Sequence, residues 1–171
     1  MYYLVLVLFP MNKKKKNKKK IVMVSGGFDP IHIGHVRMFQ EAKKLGDHLI
    51  VVINNDNWLR KKKGKEFMPE TDRKEIIEAF ECVDEVYVTL HHDKINFADP
   101  YDRSVCEALS TIRPHIFANG GDRFADDIPE FQMCNDLRIE MVFNVGHGGK
   151  VRSSSDLVKN YIVKKSNKKK T

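Results

Sequence analysis

His32 and His35 stand three residues apart behind a pair of glycines, in the stretch Ser25-Gly26-Gly27-Phe28-Asp29-Pro30-Ile31-His32-Ile33-Gly34-His35. Imidazoles at i and i+3 project from one side of a helical turn, where both can donate hydrogen bonds to a single polyphosphate. Gly26 and Gly27 let the backbone turn and approach a ligand with no Cβ in the way, and the free N–H groups of the first helical turn attract negative charge. The chemistry these residues suit is phosphate binding. A lone histidine at a helix start is more often a cap than a ligand; two of them in a glycine and aspartate context point to a bound group. A Walker loop would need GxxxxGK followed by Ser or Thr, but Gly149-Lys150 precedes Val151, and GxGxxG occurs nowhere.

Three further clusters carry complementary groups. Arg60-Lys61-Lys62-Lys63-Gly64-Lys65 and Thr71-Asp72-Arg73-Lys74 supply cations, Gly120-Gly121-Asp122 supplies a carboxylate, and Ser153-Ser154-Ser155 supplies hydroxyls. A carboxylate 4 Å from a phosphate oxygen is repelled by ~4 kcal/mol at an effective dielectric of 20, so Asp122 is expected on the acceptor side, facing hydroxyls. His91-His92-Asp93 has no further ligand at a recognisable spacing and reads as a solvated loop, not a metal site.

The elements that must position these clusters follow from hydrophobic period. Residues 21–25 form a β-branched strand and 34–45 a helix, with Val36, Phe39, Ala42 and Leu45 on its apolar face. His48 to Ile53 is a buried parallel strand, and residues 54–65 read as a polar loop crowded with cations. Pro69 and Thr71 introduce a second helix that buries Ile76, Ile77, Phe80 and Val83. A third strand spans 84–89, a loop 91–103, a short helix 105–112, a fourth strand 115–119 and a helix 128–137 with Pro129 in its first turn. A fifth strand covers 139–144, and the last helix runs from the serines to about Val163. Alternation of this kind specifies a Rossmann-like α/β domain, a five-stranded parallel sheet with helices on both faces. The clusters all follow strands, so they should converge beyond the carboxyl ends of the sheet.

Composition bounds the partners. The formal charge of +7 suggests nucleic acid, but seven lysines fall in 13–20 and five in 164–170. Of 30 basic residues, 18 therefore remain in 21–163 against 23 acidic ones, a net of −5, so no nucleic-acid partner is expected. Three segments follow: an apolar then lysine-rich leader at 1–20, poorly ordered; a domain at 21–163; and a lysine-rich tail at 164–171. The apolar run Met1 to Met11 precedes its lysines, the reverse of a secretory signal, and is too short to span a bilayer, so no stable membrane insertion is expected. Cys82, Cys106 and Cys134 lack any CxxC pairing, which favours a reducing compartment and a cytoplasmic protein. A homodimer is compatible with all of this.

Residues 26–35, GGFDPIHIGH, resemble the HxGH signature of the cytidylyltransferase-like nucleotidyltransferases in its longer GxFDxxHxGH form. Residues 42–56, AKKLGDHLIVVINND, resemble the AKxLGDxLIVxxxxD block of the glycerol-3-phosphate cytidylyltransferase and heptose-phosphate adenylyltransferase branch. The resemblance covers about 21–163. It implies in-line attack by an acceptor phosphate on the α-phosphate of CTP or ATP, with pyrophosphate leaving and no protein nucleophile. By the same resemblance His32 and His35 stabilise the transition state, Lys62 and Arg73 hold the β and γ oxygens, and Mg2+ bridges phosphates with few protein ligands. Gly26, Gly27, Phe28, Asp29 and Gly34 form the nucleotide turn, in which Asp29 fixes the backbone and is not a base. A second family lysine falls on Gly64, so Lys63 or Lys65 substitutes; Ser153, Ser154 and Ser155 match the family's final phosphate motif, with Arg152 or Lys150 for its arginine. Residues 118–122, ANGGD, resemble the GGD of the heptose branch, and Lys44 is a candidate for the acceptor phosphate against the plainer reading of an exposed helix lysine. The implied partners are a nucleoside triphosphate and a phosphorylated sugar or polyol. A coenzyme-forming adenylyltransferase taking pantetheine phosphate, FMN or NMN, and a non-catalytic nucleotide-binding module, are the alternatives. The HIGH tetrad also occurs in class I aminoacyl-tRNA synthetases, but 171 residues leave no room for their tRNA-binding parts.

Overall fold

The computed structural model describes residues 18–99, 102, 104–121, 129–146 and 152–168, with the side chains of 162–168 excepted. Five strands form one parallel sheet: β1 (Ile21–Gly26), β2 (His48–Ile53), β3 (Glu85–Val88), β4 (Ile116–Gly120) and β5 (Glu140–Val145). Their order across the sheet is β3-β2-β1-β4-β5. The chain thus builds outward from β1 to β3, then returns past β1 to lay down β4 and β5. The reversal opens a crevice at the carboxyl ends of β1 and β4, where ligands of such sheets bind.

Alternation along each strand divides the core. In β1, Val22 and Val24 face one side and Met23 the other, as the two-residue period requires. The first side packs on Phe39 and Ala42 of α1 (Ile33–Lys43) and Ile77 of α3 (Glu70–Glu78). The second packs on Ala108 and Leu109 of α4 (Cys106–Ile112) and Cys134 of α5 (Glu130–Leu137). The Rossmann-like α/β reading therefore stands, with helices on both faces.

Three local readings need correction. Residues 54–65 are not a loop throughout, because α2 (Asp56–Lys63) lies within them. Asn55 caps it by accepting from Trp58 N, Gly64 closes it at φ 84°, and Trp58 and Leu59 anchor it in the core. In α3 the buried positions are Arg73 and Ile77, while Ile76 is exposed. The last helix, α6 (Ser154–Lys168), runs past Val163 into the lysine-rich segment.

Candidate active site

The turn between β1 and α1 is built on packing more than on glycine flexibility. Its one left-handed residue is Phe28, at φ 48°, whose buried ring stands edge-on to His35 (4.9 Å) and Phe39 (5.1 Å). A Cβ on Gly26 would come within 2.9 Å of the Phe28 ring, and one on Gly27 within 2.9 Å of Leu59 Cδ2. The space beside both glycines is thus filled by protein, so the Phe28 ring and Leu59 are what require glycine at these positions. Asp29 is buried at 2% exposure and accepts from the backbone N–H of Phe67 (3.0 Å) and Met68 (2.7 Å). Those bonds tie the turn to the α2–α3 connection, the fixing role the sequence assigned to this carboxylate.

The two histidines hold each other. His32 is the N-cap of α1 and its Nδ1 accepts from Gly34 N at 3.2 Å, while Nδ1 of His35 accepts from His32 N at 3.3 Å. The reciprocal arrangement is a capping box made of two imidazoles, their rings stacked at 3.7 Å. Since each Nδ1 is an acceptor, the proton of each neutral ring sits on Nε2, leaving two Nε2–H donors. Burial pushes His35 down to about 3, helped by the charges of His32 and Lys63; burial also lowers His32, with Arg152 adding to the effect. Both rings are therefore neutral donors at pH 7.

The cations come chiefly from α2. Lys63 donates to Asp29 O at 2.8 Å and lies 3.7 Å from the Asp29 carboxylate, so it is held against the histidine turn. Burial lowers its pKa, and the Asp29 charge opposes that fall. Lys62 places its ammonium 4.5 Å from the centre of the Trp58 ring, and together with Lys63, Lys65 and Ser155 it lines a cavity of about 510 Å³. Lys63, which the sequence offered only as a stand-in, is a lysine whose charge reaches His35. Its position follows from Gly64 ending α2, a signal present in the sequence as a lysine run broken by glycine. Arg60 is committed elsewhere, forming a two-pronged pair with Glu66 at 2.9 Å on each arm.

Arg73 requires a correction. It is fully buried, donating to Gly27 O (2.8 Å), Asn54 O (2.7 Å) and Met68 O (3.0 Å) and pairing with Asp56 at 2.6 Å. A guanidinium so engaged joins the ends of β1 and β2 to α2 and α3; it does not reach a triphosphate. Lys44 is also misplaced, because it caps the far end of α1, twelve residues or ~18 Å along the helix from His32. Its backbone, not its ammonium, does the structural work there.

From the other side of the crevice, α6 brings its serines. Ser154 Oγ donates to Pro30 O at 2.9 Å, which pins the helix start to the histidine turn, and Ser153 Oγ accepts from Asp156 N. Arg152 is exposed and close enough to His32 for its charge to be felt. Asp122 and Lys150 lie outside the described residues. His91 is half-buried, with its ring nitrogens engaged by Thr89 Oγ1 (2.8 Å) and Ser104 O (3.1 Å), so it is a packed residue and not part of a solvated loop.

No group of three or more His, Cys, Asp or Glu among the described residues is placed to hold a metal ion. The buried Asp29 carboxylate, in the same turn as the histidines, accepts from Phe67 N and Met68 N and lies 3.7 Å from Lys63.

Two neutral histidines set as donors beside a lysine-lined cavity, at the carboxyl ends of a parallel α/β sheet, can stabilise charge on phosphate. The model of the cytidylyltransferase-like family matches residues 23–168, and the chain belongs to that family. It is 42% identical to the FAD synthase of Thermococcus onnurineus over 116 residues, 60% of this chain and 77% of that one. It is 34% identical to the bifunctional protein HldE of Pelobacter propionicus over 133 residues, 75% of this chain but 25% of the relative. The chain thus spans about a quarter of the length of the HldE proteins it matches. Among solved structures it resembles the lipopolysaccharide core biosynthesis protein from Thermoplasma volcanium, with a TM-score of 0.59 and 23% identity over 76% of this chain and 99% of that one, a likeness of fold.

Proposed function

We propose that the chain transfers a nucleoside monophosphate from CTP or ATP to a phosphorylated sugar or polyol. An oxygen of the acceptor phosphate attacks the α-phosphorus, a new P–O bond forms, the bond to the β-phosphate oxygen breaks, and its electron pair leaves on pyrophosphate. The observation that carries this reading is the imidazole capping box, which holds Nε2–H donors of His32 and His35 side by side. Donors fixed before the reaction cost no reorganisation when charge builds on the phosphate oxygens. Lys62 and Lys63 meet the outgoing phosphates, Ser153 and Ser155 and the first turn of α6 hold them from the opposite side, and Arg152 lies beside the nucleotide. Asp122 is assigned to the acceptor on charge, since a carboxylate is repelled by the phosphates. Magnesium, when bound, would neutralise charge on the phosphates.

A second acceptor is favoured by one observation: the FAD synthase matches cover 68% and 77% of those proteins. FAD joins adenylate to FMN, so on this reading ATP is the donor and the FMN phosphate is the nucleophile. The protein works in the cytoplasm, in keeping with its free cysteines and with the absence, among the described residues, of any helix long and apolar enough to cross a membrane. A pyrophosphate-release screen of four nucleoside triphosphates against sugar phosphates, glycerol 3-phosphate and FMN tests both. Release with one triphosphate and one acceptor class supports the proposal and names the acceptor; release with no pair overturns it.

A further inference from the structure

The α2 lysines are half of a larger arrangement. The cavity of about 510 Å³ that they line is closed on its other side by Ser155, Val158 and Lys159 of α6. Those three positions are i, i+3 and i+4, a single stripe of a helix surface, so the whole stripe faces the cavity. Lys62, Lys63 and Lys65 approach from the α2 side, which brings four ammonium groups around one space. Among the described residues the single carboxylate in the lining is Asp29, already bonded to two backbone N–H groups. A cavity with this excess of positive charge is matched to an anion that carries several charges over a short length. A monophosphate meets too few of these groups to use them; two linked phosphates span them.

We propose that Lys159 is a further binding residue for the two outer phosphates of the nucleoside triphosphate, completing with Lys62 and Lys63 a clamp that also receives pyrophosphate as it leaves. The assignment rests on the nucleotidyl-transfer reading for its physiological ligand, though not for its anion. It places half of the clamp on α6, whose start is pinned to the histidine turn through Ser154 and Pro30. The α-phosphate, at the histidines, and the outer phosphates, between α2 and α6, are then held by separate sets of groups. Lys159 is exposed, and its side chain makes no hydrogen bond or ion pair with the described residues, so its truncation leaves the fold intact.

The test is calorimetric titration of the full chain with inorganic tripolyphosphate, pyrophosphate and a nucleoside monophosphate, for the wild type, Lys159→Ala, Lys159→Arg and the remote Lys44→Ala. Loss of one charge-assisted contact is expected to weaken tripolyphosphate and pyrophosphate about fivefold or more in Lys159→Ala. Monophosphate affinity stays at the wild-type value, Lys159→Arg restores most of the loss, and Lys44→Ala changes nothing. In turnover, Lys159→Ala raises the KM for the triphosphate and leaves that for the acceptor. Wild-type tripolyphosphate affinity in Lys159→Ala, or an equal loss for the monophosphate, overturns the assignment. A Lys159-dependent tripolyphosphate site in a protein that releases pyrophosphate with no acceptor supports the clamp and removes the transfer reading, so the two failures are distinguishable.

Discussion

Replacing Arg73 separates a structural arginine from a phosphate-binding one. Its guanidinium is fully buried, and it is shared among three carbonyls and Asp56, itself mostly buried. Breaking a buried ion pair by removing one partner costs about 3–5 kcal/mol. Each carbonyl left without its donor adds to that, by about 1 kcal/mol where water cannot enter. Arg73→Met is thus expected to lose ~5 kcal/mol, comparable with the whole stability of a marginal domain. With a urea m-value of about 2 kcal/mol per M the unfolding midpoint falls by about 2.5 M. Arg73→Lys keeps a charge beside Asp56 but presents a point cation in place of a fork, and is expected to lose about half as much. Urea denaturation followed by circular dichroism reads both midpoints, and pyrophosphate release reads the folded Arg73→Lys protein. A midpoint for Arg73→Lys equal to that of the wild type, together with a tenfold rise in the KM for the triphosphate, would refute the structural role.

Two further outcomes follow from the turn. Because His35 titrates near 3 in the fold and near 6.5 in the unfolded chain, the unfolded chain binds the extra proton between those values. Stability is therefore full above about 6.5 and falls as pH drops toward 3, by up to about 1.4 kcal/mol per pH unit, and urea midpoints at pH 7.5 and 5.0 should differ more for the wild type than for His35→Gln. An equal pH dependence in the two proteins would contradict a buried neutral His35. Gly27→Ala pushes a methyl against Leu59 Cδ2, for an expected cost of about 1–3 kcal/mol, and Leu59→Ala should relieve part of it in a double-mutant cycle; strict additivity would show the two do not touch.

Much of the fold was legible because parallel strands are buried on both faces and appear as apolar runs, His48 to Ile53 above all. The histidine turn was legible because residue type, spacing and position after a strand agree. The helix α2 was not, since its only buried residues are the adjacent Trp58 and Leu59, which set no period; its ends are marked by the caps Asn55 and Gly64. Arg73 was misread because a charged residue in the first turns of a helix ordinarily meets water. Its partners, the carbonyls of Gly27, Asn54 and Met68, come together only in the fold. Lys44 failed on distance, which no local motif records. For the glycines the residue type was informative and the cause was different: Phe28 and Leu59 occupy the space a side chain would need.

The central claim is that two neutral histidines stabilise direct displacement at the α-phosphorus. It is tested most directly by rapid quenching of a single turnover with a nucleoside triphosphate labelled at the α-phosphate and the acceptor found in the screen. Label is expected to pass straight into the phosphoanhydride that joins the nucleotide to the acceptor phosphate, with none found on protein, and His35→Ala is expected to slow the transfer by ~10²-fold or more with triphosphate affinity little changed. Label trapped on the protein, or a wild-type rate in a folded His32→Ala/His35→Ala protein, would contradict it.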